Sequence, residues 1–258
     1  MALTEHIKNA WNAYKKNFWT IIGAHLIAAA IILGMMLLVA GGLALSAMPF
    51  VDAEGNISEE YAPQIMASPY FILSGLVFII TVFVALALRA GLIGVYRDAL
   101  GKKKAKIDTM FSVAKEKYKT VIGAQLFAVL VLLVGAAVLF IPTIAVLAGN
   151  IALLDTVLTI EVIIFLLFAL LFSLINQAVV VSGERAIDAV KKSYAIVRGN
   201  YIQFLALVLV FFAADLIIGY IPKVWILISL LLVQPLSALA YTSFYIERAK
   251  TTGKKKKR

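Results

Sequence analysis

The sequence lacks cysteine altogether, and its 258 residues include only two histidines, His6 and His25. The absence of cysteine excludes disulfide bonds, thiolate catalysis and cysteine-ligated zinc. Two histidines are too few for a histidine-rich metal site. Phosphate-binding loops and the signatures of zinc proteases and serine hydrolases are also missing from the sequence. We therefore expect no metal, no cofactor and no enzymatic activity.

Charged residues are scarce as well. They make up 15% of the chain, against 63% hydrophobic residues, and the mean hydropathy is +0.98. Soluble domains have about 25% charged and about 45–50% apolar residues. About 20 apolar residues cross a hydrocarbon core of roughly 30 Å. The sequence predicts an all-α, polytopic membrane protein with one transmembrane domain over residues 1–258 and six spans: Phe18 to Ala47, Tyr70 to Leu88, Val121 to Ile141, Leu158 to Val181, Tyr201 to Ile221 and Val224 to Ile246.

The positive charges lie on one side of these predicted spans. All but one of the 24 Lys and Arg residues fall in segments 1–17, 89–119, 183–200 and 247–258, and the exception is Lys223. The opposite loop, between residues 48 and 69, is acidic. Basic residues in short loops mark the cytoplasmic side, so we expect both termini in the cytoplasm of a cell-membrane protein. The basic excess then contacts anionic lipid headgroups, with the tail 247–258 as the strongest cluster, and needs no nucleic acid to explain it.

An internal repeat organises the chain. "IIGAHL" (21–26) matches "VIGAQL" (121–126), and a third copy follows when Tyr194 is aligned with Phe111. The repeat units cover about 4–96, 104–182 and 184–246. Each is predicted to contain an interfacial amphipathic helix, a span out, a turn near proline and a span back. In the first such helix, the spacing places Tyr14 with Trp11 on the membrane-facing side. Aromatic and basic side chains recur as predicted membrane-interface anchors: Trp11, Lys15 and Phe18; Phe111, Lys115 and Tyr118; Tyr194, Arg198 and Tyr201.

Three stretches carry a resemblance to a known family: "WNAYKKNFWTIIG", "RAGLIGVYRDALGKKKAKIDTMFSVAKEKYKTVIG" and "SGERAIDAVKKSYAIVRGNYIQFLAL". The chain resembles six-span integral membrane proteins related to the glycerophosphodiester phosphodiesterase membrane domain, which include uncharacterised bacterial and archaeal proteins. Some members carry a soluble phosphodiesterase domain, for which this chain has no room. The resemblance therefore implies the six-span architecture and not the activity.

Four polar residues within the predicted spans form a possible intramembrane site. His25 and Gln125 occupy equivalent repeat positions, Asn176 lies at a similar depth together with Gln177, and Arg89 marks the inner end of the second span. These side chains either line a polar vestibule open to the cytoplasm or make hydrogen bonds between helices. Asp215, near the outer end of the fifth span, is expected to be protonated, paired with Lys223, or a coupling group of a transporter.

A proline lies near the middle of the sixth span. Pro235 follows Gln234 there, and proline frees a backbone carbonyl that a neighbouring group must satisfy. The pair predicts either a simple bend or a gating hinge.

The sequence leaves three classes of function open. The favoured one is a non-enzymatic membrane protein that binds lipid, or docks a protein partner or a second copy of itself, at the cytoplasmic face. The alternative is a transporter or channel for a small solute or ion, with a polar path between helices. An intramembrane hydrolase is the weakest candidate, since no nucleophile and base can be paired from the sequence.

Overall fold

The computed structural model describes residues 3–52, 54–101, 104–147, 149–221 and 224–255, nearly all of them helical. Within these ranges the only extended pairing is an isolated bridge between Val51 and Ile57. Short 3-10 helices cover Met48–Phe50, Glu59–Tyr61 and Leu170–Phe172, and a π-helical turn covers Ser229–Val233. The α-helices are α1 (Leu3–Lys16), α2 (Phe18–Ala47), α3 (Ala62–Ala67), α4 (Pro69–Leu100), α5 (Ile107–Leu147), α6 (Ile151–Ala169), α7 (Ile175–Ser182), α8 (Ala186–Arg198), α9 (Tyr201–Gly219), α10 (Trp225–Ile228) and α11 (Gln234–Lys255).

Among the described residues, six helical segments are long and apolar enough to cross a membrane, as expected for an all-α, six-span protein. They are Phe18–Phe50, Pro69–Leu100, Ile107–Leu147, Leu153–Ser182, Tyr201–Gly219 and Trp225–Thr251. We compared the most apolar part of each segment. At most 17% of its residues are buried inside the protein in each of the first five segments, whereas 39% are buried in the sixth. Aliphatic side chains cover the outside of the bundle, as a lipid environment requires, and the sixth segment lies at its centre.

Helix α4 packs between α2 and α5. Its contact with α5 depends on Gly91, where an added Cβ would lie 2.2 Å from the backbone oxygen of Met110. At Gly94 the same atom would lie 2.8 Å from the side chain of Val113. Small residues allow membrane helices to approach this closely, so the glycines of "GLIG" fix how α4 meets α5.

The predicted bend in the sixth span coincides with the π-helical turn before α11. Pro235 has no N–H group, so the carbonyl of Leu231, four residues earlier, loses its usual helical donor. The hydroxyl of Tyr14 in α1 donates a hydrogen bond of 2.6 Å to that carbonyl. Tyr14 was expected to face the membrane with Trp11, but only 3% of it is exposed. The carbonyl that the proline frees gives Tyr14 a hydrogen-bond partner inside the bundle.

Asparagine separates two of the three predicted surface helices from the spans that follow them. The side-chain amide of Asn17 donates to the Ala13 carbonyl at 3.0 Å, and that of Asn200 donates to the Ile196 carbonyl at 3.0 Å. Both asparagines leave helical geometry, at φ −118° and φ −140°. In the second copy the aligned residue is Lys117, and the helix continues through it.

The second repeat unit therefore differs from the prediction. Helix α5 runs without interruption over 41 residues from Ile107 to Leu147, so Phe111, Lys115 and Tyr118 belong to the spanning helix itself. Pro142, predicted to follow the end of the span, lies inside α5. Transmembrane helices tolerate an internal proline when neighbouring groups satisfy the freed carbonyl. Pro222, the corresponding residue of the third unit, lies outside the described residues, as does Lys223.

Candidate functional site

A cavity of about 460 Å³ lies where α2, α4, α7, α9 and α11 come together, and we call it the central cavity. Its buried floor contains polar side chains from three helices, and exposed polar side chains mark its mouth. Aromatic and aliphatic groups, among them Phe204 and Tyr241, form the remaining wall. The floor residues are His25, Tyr96 and Gln177, and the mouth residues are Arg89, Ser173 and Gln234.

Hydrogen bonds fix the orientation of His25 on the floor. Its Nδ1 lies 3.1 Å from the carbonyl oxygen of Ile21, which can only accept, so Nδ1 carries the proton of the neutral ring. Its Nε2 then accepts from the hydroxyl of Tyr96 at 2.8 Å. The Tyr96 hydroxyl is used in this bond, and the pair forms a rigid, neutral part of the floor.

The other polar residues of the cavity retain unused hydrogen-bonding groups. Gln177 is 6% exposed, and its Oε1 has no hydrogen-bond partner among the described residues. Arg89 makes no ion pair within the same part of the chain, and the residues that line the central cavity include no Asp or Glu. Of the two serine hydroxyls, that of Ser173 donates to the Leu170 carbonyl and that of Ser237 to the Gln234 carbonyl. The cavity thus presents more donors than acceptors, together with one positive charge.

A second cavity of about 400 Å³ adjoins the first, and we call it the apolar groove. It shares His25, Leu92 and Gln234 with the central cavity. From His25 to Met36 it follows α2 for roughly 16 Å, at 1.5 Å per residue, about half the thickness of a hydrocarbon core. The residues along it are almost all apolar: Ala28, Ala29, Ile32, Leu33, Met36 and Leu230. A polar chamber beside an apolar groove has the chemistry to hold an amphiphile.

The structure separates the four predicted intramembrane residues instead of gathering them. Only His25 lines the central cavity. The amide of Gln125 donates to Oδ1 of Asn176 at 2.8 Å, a hydrogen bond between α5 and α7. Asp215 accepts at 2.7 Å from the hydroxyl of Ser229, the first residue of the π-helical turn. The first pair is one of the two arrangements expected for Gln125 and Asn176, whereas a serine was not among the partners expected for Asp215. Both pairs leave the cavity to other residues.

Several of the predicted interface anchors have the exposure that membrane contact requires. Trp11, Phe111 and Tyr118 are exposed, and so are Lys15, Lys115 and Arg198, while Phe18, Tyr194 and Tyr201 are half-buried. Two copies also pair the aromatic with the basic residue: Lys15 lies 5.6 Å from the centre of the Trp11 ring, and Arg198 lies 5.7 Å from that of Tyr194. Exposed aromatic and basic side chains on one helix suit the boundary between lipid and water.

Sequence reasoning named Arg89 but missed Ile93 and Tyr96 of α4 and the environment of His6. Arg89, Ile93 and Tyr96 recur at i, i+4 and i+7, which places them on one helix face, and this spacing was the available signal. His6 is 1% exposed between α1 and α11. Its Nδ1 lies 3.2 Å from the Ser243 hydroxyl and its Nε2 lies 3.2 Å from Oε2 of Glu247. Burial lowers the pKa of His6, whereas the charge of the Glu247 carboxylate acts to raise it.

Serine, histidine and carboxylate also form the triad of many hydrolases, so the chemistry of this cluster matters. Ser243 lies within α11, where the backbone N–H groups are engaged in helical hydrogen bonds. Backbone donors for an oxyanion are therefore missing beside it. The cluster is better suited to holding α1 against α11 than to acyl transfer.

Comparison with known proteins places the chain in a family without assigning a function. No curated protein and no solved structure shows a significant match. Residues 26–251 match a family described as a domain of unknown function, DUF7847, and the match includes most of the central cavity and the apolar groove. It provides no link to the glycerophosphodiester phosphodiesterase membrane domain, so that resemblance remains a prediction. Because the match covers most of its length, the chain belongs to the DUF7847 family.

Proposed function

We propose that the protein is a non-enzymatic membrane protein that binds a membrane amphiphile, with the polar group in the central cavity and a chain in the apolar groove. The observation that carries this proposal is that the two spaces adjoin, with His25, Leu92 and Gln234 lining both. A water channel would need a polar path, whereas the second space is walled by aliphatic side chains. A single acyl chain fits a groove that extends over about half of the hydrocarbon core.

The proposal includes three repeat units with both termini on the cytoplasmic side of the cell membrane. Support comes from burial, which recurs at aligned positions of the three copies although the residue types differ. Positively charged segments near both termini favour this orientation. The aligned buried sets are Ala10, Met110 and Ser193; Ala13, Val113 and Ile196; Ile21, Val121 and Phe204; and Ala24, Ala124 and Leu207.

Transport of the same class of ligand is the alternative function. It is favoured by the π-helical turn and Pro235, which interrupt the central helix next to Gln234 at the mouth of the cavity. Such interruptions are frequent at functional sites. In this alternative the bend is a hinge, and the cavity opens in turn to each side of the membrane.

Blocking the apolar groove tests the proposed function. We expect Ala29→Trp to fill the groove and to weaken binding of fluorescent lysophosphatidylcholine and lysophosphatidylglycerol by at least about tenfold, or about 1.4 kcal/mol. The matched control is Ala30→Trp, since Ala30 is exposed on the outside of the same helix. The two purified variants would be compared by fluorescence titration in neutral detergent. Equal binding of both amphiphiles to both variants would rule out the groove as their site.

A further inference from the structure

We propose that the polar group taken by the central cavity is anionic and carries a phosphate, and that Arg89 recognises it together with the amides of Gln177 and Gln234. This inference rests on the proposed function and names the chemical class of its ligand. It follows from the balance of charge, donors and acceptors in the cavity.

The charge argument begins with Arg89. Its guanidinium group carries a fixed positive charge, lies at the mouth of the cavity and is paired with no carboxylate in the described ranges. An unpaired charge beside a hydrocarbon region is costly, and arginines there pair with an anion or extend to the headgroup level. By contrast, a carboxylate lines each of two other cavities, Asp215 in one and Glu247 in the other. The central cavity therefore favours an anion.

The hydrogen-bond argument concerns the groups that remain free around the cavity. The hydroxyls of Tyr96, Ser173 and Ser237 each donate within the protein. The guanidinium N–H groups of Arg89, the amides of Gln177 and Gln234 and the hydroxyl of Tyr241 remain as donors toward a ligand. A phosphate offers several acceptor oxygens, and guanidinium can bind two of them at once.

Gln177 supplies an independent indication of a ligand. It is nine-tenths buried, lines the cavity and has an amide oxygen without a partner among the described residues. Leaving a buried polar group unsatisfied destabilises the protein. Rotation of the amide can turn either its oxygen or its N–H groups toward the ligand. The oxygen would accept from a hydroxyl of the ligand, and the N–H groups would donate to its phosphate, so a headgroup with both would satisfy this side chain.

The apolar groove identifies the lipid headgroup as the favoured source of this phosphate. A free phosphate would fill only the central cavity and leave the adjoining apolar space without a ligand. A lipid would occupy both. Competition between a lipid and inorganic phosphate separates the two sources.

The test compares binding of fluorescent lysophosphatidylglycerol, which is anionic, and lysophosphatidylcholine, which is zwitterionic, to the full chain in neutral detergent. We expect the wild type to prefer the anionic amphiphile by at least about tenfold. Arg89→Gln should abolish the preference while binding of lysophosphatidylcholine persists, which also shows that the variant is folded. Arg89→Lys should keep part of the preference, because it keeps the charge and loses the two-pronged geometry. Lys8→Gln, which removes an exposed charge from α1, is the matched control and should behave as wild type.

The outcomes separate the inference from the function on which it rests. Equal affinity of the wild type for both amphiphiles, or an unchanged preference in Arg89→Gln, would overturn the anionic assignment and leave the amphiphile site standing. Failure of both amphiphiles to bind would overturn the proposed function itself. Displacement of the anionic amphiphile by inorganic phosphate would assign the ligand to free phosphate, and its persistence would assign it to the lipid headgroup.

Discussion

The close contact between α4 and α5 depends on the absence of a side chain at Gly91. An added methyl group would lie 2.2 Å from a backbone oxygen of α5, where no flexible side chain can move aside. We expect Gly91→Ala to destabilise the protein by about 1–3 kcal/mol, the usual cost of overpacking. Gly75→Ala in the same helix is the control, because nothing lies within 4 Å of its added Cβ. Thermal unfolding in detergent measures both, and equal midpoints for the two variants would refute the close contact.

Tyr14 shows what residue-level reasoning could and could not predict. The proline rule correctly requires a donor for the Leu231 carbonyl. Helical spacing alone placed Tyr14 with Trp11 on the membrane face. The donor turned out to be Tyr14 itself, 217 positions away along the chain. A periodic pattern indicates which residues share a face, but not which of them finds a polar partner across the bundle.

At the scale of elements, the contact between α1 and α11 contains a titratable group. His6 has a lowered pKa because it is buried, and Glu247 only partly offsets this; Glu5 and Arg248 also act on it. Below pH 6.5, the ordinary pKa of histidine, the unfolded chain therefore binds a proton at His6 more readily than the folded protein does. The stability that the neutral, buried His6 contributes is fully present above that pH and is lost as the pH falls below it.

We accordingly expect the thermal midpoint of the wild type to fall on acidification from pH 7.5 to 5.5. His6→Asn, which cannot titrate in this range, should show a smaller change over the same interval. Thermal unfolding across this pH series measures the effect. A wild-type midpoint that rises on acidification, or equal slopes in the two proteins, would show that His6 is not the group responsible.

Helix boundaries also show which elements a sequence can predict. The start of α2 at Phe18 and of α9 at Tyr201 agrees with the predicted spans, because asparagine at 17 and 200 ends the preceding helix. The uninterrupted α5 was missed. Aligning the copies predicted a helix break at Lys117 as well. Lysine lacks the short side-chain amide with which asparagine bonds to the preceding turn. The residue type at the junction was a better guide than the repeat.

At the scale of the whole molecule, the six spans were predictable because bilayer thickness sets the length of apolar helices. The site was not. Depth in the membrane groups His25 with Gln125 and Asn176, yet depth is only one coordinate, and the angular positions of the helices decide which side chains meet. These positions depend on contacts such as Gly91 against Met110, so the pairing of His25 with Tyr96 becomes visible only in the assembled bundle.

Single-cysteine labelling tests the central claim, an amphiphile-binding cavity, most directly, because the chain has no native cysteine. Ser173→Cys and Ser237→Cys report on the cavity, Thr251→Cys on the side of the C-terminus, and Ser58→Cys on the opposite loop. A small charged thiol reagent would be applied to each side of reconstituted vesicles. We predict that the two cavity positions react only from the side that labels Thr251→Cys, and more slowly when lysophosphatidylglycerol is present. Reaction from both sides would indicate a path across the membrane, and rates unaffected by the amphiphile would contradict a binding site in the cavity.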